Sequence, residues 1–107
     1  MRRVVVTGMG GVTPLGDSWE AIGPAMEAGH SGVRTMTAWD QFPEIQTRLG
    51  VPIERFDVPE HYPRKMVRSM GRVALLGVRA TELALADAGL LGDPILRGGR
   101  VGVAYGS

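Results

Sequence analysis

The sequence has no cysteine, so its 107 residues hold no disulfide, no thiolate metal ligand and no cysteine nucleophile, as expected of a chain from a reducing compartment. Charge of one sign is also missing: 12 Lys and Arg stand against 11 Asp and Glu, a net charge of +1. Phosphate-dominated binding to nucleic acid needs a basic excess, which this balance excludes. Long apolar runs are absent too. Val4-Val5-Val6 follows Arg2-Arg3 but ends at Thr7-Gly8, too short for the core of a signal peptide. Val73 to Val78 falls well below the roughly 20 residues of a membrane helix. The expectation is a cytoplasmic chain with no nucleic-acid or membrane partner.

What remains is an ordinary globular composition, 44% hydrophobic and 21% charged, of a length that allows one domain. Arg2 to Thr7 is β-branched and closed by Gly8, which predicts a strand buried on both faces in a parallel sheet. Asp17 with Glu20 resembles a capping box, and Trp19, Ile22 and Met26 give helical spacing up to Gly29. Pro24 lies inside that helix and predicts a kink. Val33 to Glu60, punctuated by Pro43, Pro52 and Pro59, reads as connecting structure with one small strand at Gln46 to Val51.

Pro63 suits a first helical residue and Gly89 the residue past a helix end, with 25 residues between them. The pattern predicts one helix of about seven turns. On it Gly77, Ala80, Thr81, Ala84 and Ala88 form a small-residue stripe flanked by Leu76 and Leu83, suited to close approach of another backbone. Because glycine costs about 1 kcal/mol in a helix interior, Gly71 and Gly77 point to close packing within a larger body. Arg100 to Tyr105 alternates valine with small residues and predicts a second core strand. The expected class is α/β with an incomplete sheet, leaving open edges and exposed apolar surface.

Gly8-Met9-Gly10 after a valine run suggests a dinucleotide fold, but the third glycine would fall at Thr13 and no acidic residue ends a second strand. The expectation is a structural glycine turn. His30 and His61 lack metal-site spacing and read as loop or surface residues. No serine is placed beside a base, so no catalytic constellation is legible. One feature does stand out. From His61 to Ala80 there are five basic residues, Arg64, Lys65, Arg68, Arg72 and Arg79, and no acidic one. In one helix Arg64, Arg68 and Arg72 form a ridge, and cations in its first turn oppose the macrodipole. An anionic counterpart is expected; the alternatives are solvated charge or pairing with acids elsewhere in a longer chain.

In order, Arg3-Val4-Val5-Val6-Thr7-Gly8-Met9-Gly10, Thr13-Pro14-Leu15-Gly16 and Gly29-His30-Ser31-Gly32-Val33 closely resemble the opening of β-ketoacyl-acyl carrier protein synthases. Two further blocks are similar: Arg64-Lys65-Met66-Val67-Arg68 leading to Ala84-Leu85-Ala86-Asp87-Ala88-Gly89-Leu90, and Arg100-Val101-Gly102-Val103 through Gly106-Ser107. Val67 and Arg68 stand where many members of the family have Asp and Phe, and Pro24 where they keep an ordinary helix former.

The resemblance implies that residues 1–107 are a partial amino-terminal domain, within the first half of a thiolase-like five-layer αβαβα fold. It implies a homodimeric acyltransferase of fatty-acid synthesis, catalysing decarboxylative Claisen condensation of acyl thioesters with malonyl-acyl carrier protein. The catalytic cysteine and two histidines would lie beyond residue 107, so no catalytic residue is assigned and the chain alone is expected to be inactive. No cofactor or metal is implied, since phosphopantetheine is carried by the partner, acyl carrier protein. Arg64 and Lys65, with Arg68 as an addition, match the family's carrier-protein contact. The rival readings are a nucleotide-binding oxidoreductase fragment and a noncatalytic module that docks an acidic protein.

Overall fold

Sixteen residues from Arg72 to Asp87 form the longest helix, α3. Its end follows from one glycine: Gly89 takes φ +69°, a left-handed conformation that a Cβ disfavours. There the Gly89 N–H donates to the Ala86 carbonyl at 3.0 Å and the Leu90 N–H to the Leu85 carbonyl at 2.8 Å, closing a Schellman motif. Gly29 ends the first helix, α1 (Trp19–Glu27), in the same way, with its N–H on Met26 and that of His30 on Ala25.

The computed structural model describes residues 1–107 and divides them into two compact units, Met1–Val12 with Val58–Ser107, and Thr13–Asp57. In the second unit, Ser18 rather than Asp17 caps α1, its hydroxyl accepting from the Ala21 N–H at 3.3 Å. A hydroxyl one residue before the first helical position is placed to accept from the third, which the expected Asp17–Glu20 box would miss by one residue. The helix continues through Pro24 to Glu27. A 3₁₀ turn at Thr37–Gln41 follows β1 (Arg34–Thr35), which pairs antiparallel with β2 (Leu49–Gly50). The strand expected over Gln46–Val51 is thus two residues long, with proline at 52 cutting off further pairing.

Two of the sequence blocks meet in this unit. Thr13 and Gly16 exchange backbone hydrogen bonds of 2.9 and 3.1 Å, and the Thr13 hydroxyl accepts from the Leu15 N–H, so Thr13-Pro14-Leu15-Gly16 is a tight turn. Gly32 packs against it: a Cβ there would stand 2.6 Å from the Pro14 Cβ.

In the first unit the expected long helix is two helices, α2 (Arg64–Val67) and α3. Gly71 breaks it, holding ψ 173° as the extended residue before α3. Pro63 is likewise an extended cap (ψ 126°) rather than the first helical residue. The small-residue stripe meets the partner its spacing asks for. A Cβ on Gly8 would lie 2.5 Å from the Ala88 amide nitrogen, and one on Gly10 would lie 2.5 Å from the Ala80 carbonyl oxygen, so the glycine turn rests on the α3 backbone. Thr81 stays exposed, bonding back to the Gly77 carbonyl.

Neither Arg2–Thr7 nor Arg100–Tyr105 is a strand. Both have strand composition, but a strand exists only as a ladder, and no neighbouring backbone pairs with either. Val4 is 94% exposed and Val103 85%. Nor is α3 buried: none of its residues is, and no hydrophobic side chain of the chain is fully covered. The accessible surface is 9130 Å² for 11.4 kDa, against about 5,800 Å² for a folded monomer of that mass. No helix is long and apolar enough to cross a membrane.

Candidate functional site

Arg64, Lys65 and Arg68 share the single turn of α2 and its cap, where the Arg68 N–H bonds the Arg64 carbonyl at 3.1 Å. All three are exposed, and the ion pairs of the chain join other residues. Arg72 lies across the break on α3, so the expected three-arginine ridge is reduced to Arg64 and Arg68. The macrodipole cost expected for Arg64 and Lys65 also lapses, because in a four-residue helix the first and last turns coincide. Three like charges on one exposed turn remain, repelling one another by a few tenths of a kcal/mol per neighbouring pair.

Directly before this turn, His61 and Tyr62 close onto a carboxylate of α3. Tyr62 Oη donates to Glu82 Oε2 at 2.6 Å, Arg79 Nη1 donates to the same oxygen at 2.9 Å, and His61 Nε2 meets Oε1. The His61 and Tyr62 rings stand edge to face, 4.8 Å between centroids. Hydrogen bonding, from Tyr62 first and also from Arg79 and His61, holds the Glu82 carboxyl down at about 2 against a smaller opposing effect of burial. Burial, then the Glu82 contact, pushes the Tyr62 hydroxyl up to about 12.

Sequence reading placed His61 on a loop or surface, and it is exposed, but its pairing was not foreseen. The one local signal was Arg79 three residues before Glu82 on a helix, the spacing of an ion pair. The groups bonded to the Glu82 carboxylate are a tyrosine, an arginine and a histidine, with no serine, threonine or cysteine among them. No three His, Asp or Glu side chains gather to hold a metal ion.

The glycine turn is not arranged for a phosphate. The Met9 N–H donates to Asp87 Oδ2 at 2.9 Å, and an anion brought there would meet that carboxylate. The close backbone approach that glycine permits is taken by α3. In the other unit, a cleft of about 360 Å³ lies between the Thr13–Gly16 turn and Pro52–Arg55, with the Arg34–Glu54 pair (2.5 Å) on its wall.

The family model described as "Beta-ketoacyl synthase, N-terminal domain" matches residues 1–107. The chain belongs to the β-ketoacyl synthase family. Among curated members it is 36% identical over 106 residues to 3-oxoacyl-[acyl-carrier-protein] synthase 2 of Vibrio cholerae, covering 99% of this chain and 25% of that protein. It is 38% identical over 93 residues to Nodulation protein E of Rhizobium leguminosarum, covering 86% of this chain and 22% of that one. The crystal structure of a β-ketoacyl synthase from Burkholderia phymatum matches the whole chain at 56% identity with a TM-score of 0.89, over 26% of its own length. The β-ketoacyl synthase segment therefore spans about a quarter of the relatives it matches.

Proposed function

We propose that residues 1–107 serve as the amino-terminal part of the first half of a five-layer αβαβα fold, in a homodimeric, cytoplasmic condensing enzyme of fatty-acid synthesis. The family match over the full chain supports the enzyme class. In the proposed reaction a cysteine supplied from outside these residues takes the acyl group from the phosphopantetheine thiol of the carrier protein. Malonyl-carrier protein then loses carbon dioxide, and its carbanion attacks the acyl-enzyme carbonyl and releases the cysteine. Residues 1–107 have no cysteine to take the acyl group, and their proposed part is docking.

Arg64, Lys65 and Arg68 are the proposed carrier-protein contact. The observation that carries this reading is three exposed cations on one turn, held by none of the chain's ion pairs. An acidic protein meeting such a turn gains association rate from long-range attraction, more at low salt.

The test is the paired substitution Arg64→Glu with Lys65→Glu in the complete enzyme. Carrier-protein substrates should lose kcat/KM, most at low ionic strength, while a short pantetheine thioester is turned over as before. Equal slowing of both substrates, or an unchanged carrier-protein reaction at low salt, would return these residues to solvated surface charge.

A further inference from the structure

The basic turn has little of its own to hold it in place. Helix α2 is four residues long with no buried residue, far below the length at which an isolated helix is stable in water. Its C-terminal end is tied to α3 through the chain from Arg68 to Gly71. Its N-terminal end is tied to α3 by side chains, since Tyr62 and His61, directly before the Pro63 cap, both close on Glu82. Arg79, three residues before Glu82, fixes the carboxylate from the α3 side, and Tyr62, Arg79 and Glu82 are all half-buried. One carboxylate thus staples the entry of the turn to the helix that receives its exit.

The geometry points to Glu82 as a positioning residue for carrier-protein docking: through Tyr62 and His61 it holds the turn that presents Arg64 and Lys65. This rests on the docking reading above and adds to it the device that aims the charges. Glu82 touches no substrate in this scheme and acts through the turn alone.

The sign of the effect separates positioning from simple charge. Removing a carboxylate beside a basic turn makes the local potential more positive, which by itself speeds encounter with an acidic partner. Releasing the turn lets the two cations wander, which slows it. Positioning therefore predicts a loss where charge alone predicts a gain.

The experiment uses the complete enzyme with Glu82→Ala, Glu82→Gln and Tyr62→Phe, each assayed on acyl-carrier protein and on a short pantetheine thioester. For Glu82→Ala, kcat/KM on the carrier protein should fall roughly three- to tenfold, within the span that electrostatic steering commands. The pantetheine reaction should be unchanged. Glu82→Gln, which keeps an acceptor for Tyr62, should recover part of the loss, and Tyr62→Phe should show a smaller one. In an Arg64→Ala, Lys65→Ala background the Glu82→Ala loss should shrink, because of the three docking cations only Arg68 is left to aim.

A carrier-protein rate that rises or stays level in all three variants overturns the positioning role, as does an undiminished Glu82→Ala loss in the double-alanine background. If the double-alanine enzyme itself uses carrier protein as well as the parent does, the docking reading fails and the inference falls with it. Should Glu82→Ala not fold, the Glu82→Gln and Tyr62→Phe enzymes carry the same comparison.

Discussion

The Met9 amide donates to the Asp87 carboxylate at 2.9 Å, a bond that spans 78 residues and fastens the glycine turn to the last turn of α3. On either side of it, Gly8 and Gly10 lie against the backbone of Ala80, Ala84 and Ala88. Gly8→Ala would put a methyl within 2.7 Å of three atoms of Ala84 and of Ala88, the residue that caps α3, so turn or helix must move. A cost of about 1 to 3 kcal/mol is expected, as for other overpacked contacts. Denaturant unfolding of the enzyme measures it, and an unchanged midpoint would contradict the contact. Asp87→Ala should cost about 1 kcal/mol, since the bond it removes is exposed.

This contact also shows what could be read in advance. The glycine turn at Gly8 and Gly10 and the Ala80, Ala84, Ala88 stripe were both legible, but only the stripe announced close approach, because its small side chains leave room for another backbone. That they meet one another was not legible: a stripe states that a backbone comes near without saying which. The strands failed for a related reason. Val4-Val5-Val6 and Val101 to Val103 have strand composition, but pairing is a property of two segments, and neither has a partner here. Gly71 was read as a packing glycine within a helix, though it also permits an extended cap, and local sequence does not choose between the two. Of the site, the charges at Arg64, Lys65 and Arg68 were visible, while the Tyr62–Glu82 bond joins residues 20 apart through a fold not yet known.

Acid should act on the Glu82 cluster in a defined window. The carboxyl is lowered from 4.5 to about 2 in the folded chain, so its contribution is complete above about pH 4.5 and is lost as pH falls toward 2. Tyr62 is raised from 10.0 to about 12, so its contribution is complete below about pH 10 and fades as pH climbs toward 12. The stability difference between the parent and Glu82→Gln should therefore shrink as pH falls below about 4.5. A difference that stays constant down to pH 2.5 would show that the carboxylate is not held by these bonds.

Residues 1–107 alone should not condense acyl and malonyl groups, because they lack the thiol that would form the acyl-enzyme. They should also expose apolar surface, given Val4, Val6 and Val103 at 94, 78 and 85% exposure. An assay on carrier-protein substrates should give the rate of a blank, and the peptide should bind a hydrophobic dye and self-associate as its concentration rises. A dye-silent monomer with a sharp unfolding transition would contradict the second expectation.

The break between α2 and α3 can be tested at Gly71 alone, where a Cβ would meet no atom within 4 Å and the backbone is extended at φ −74°, ψ 173°. Space and conformation therefore accept either serine or alanine, and both restrict the unfolded chain compared with glycine, so that effect cancels between the two. What differs is the role of the position. As the residue before the first turn of α3, serine can accept from an amide of that turn, and Gly71→Ser should exceed Gly71→Ala in stability by about 1 kcal/mol. Within an unbroken helix from Arg64 to Asp87 the order would reverse, alanine being the better helix former by about half a kcal/mol. Unfolding midpoints of the two variants settle the sign. An alanine variant more stable than the serine one would join the two helices, place Arg72 back in line with Arg64 and Arg68, and remove the separate basic turn on which Glu82 acts.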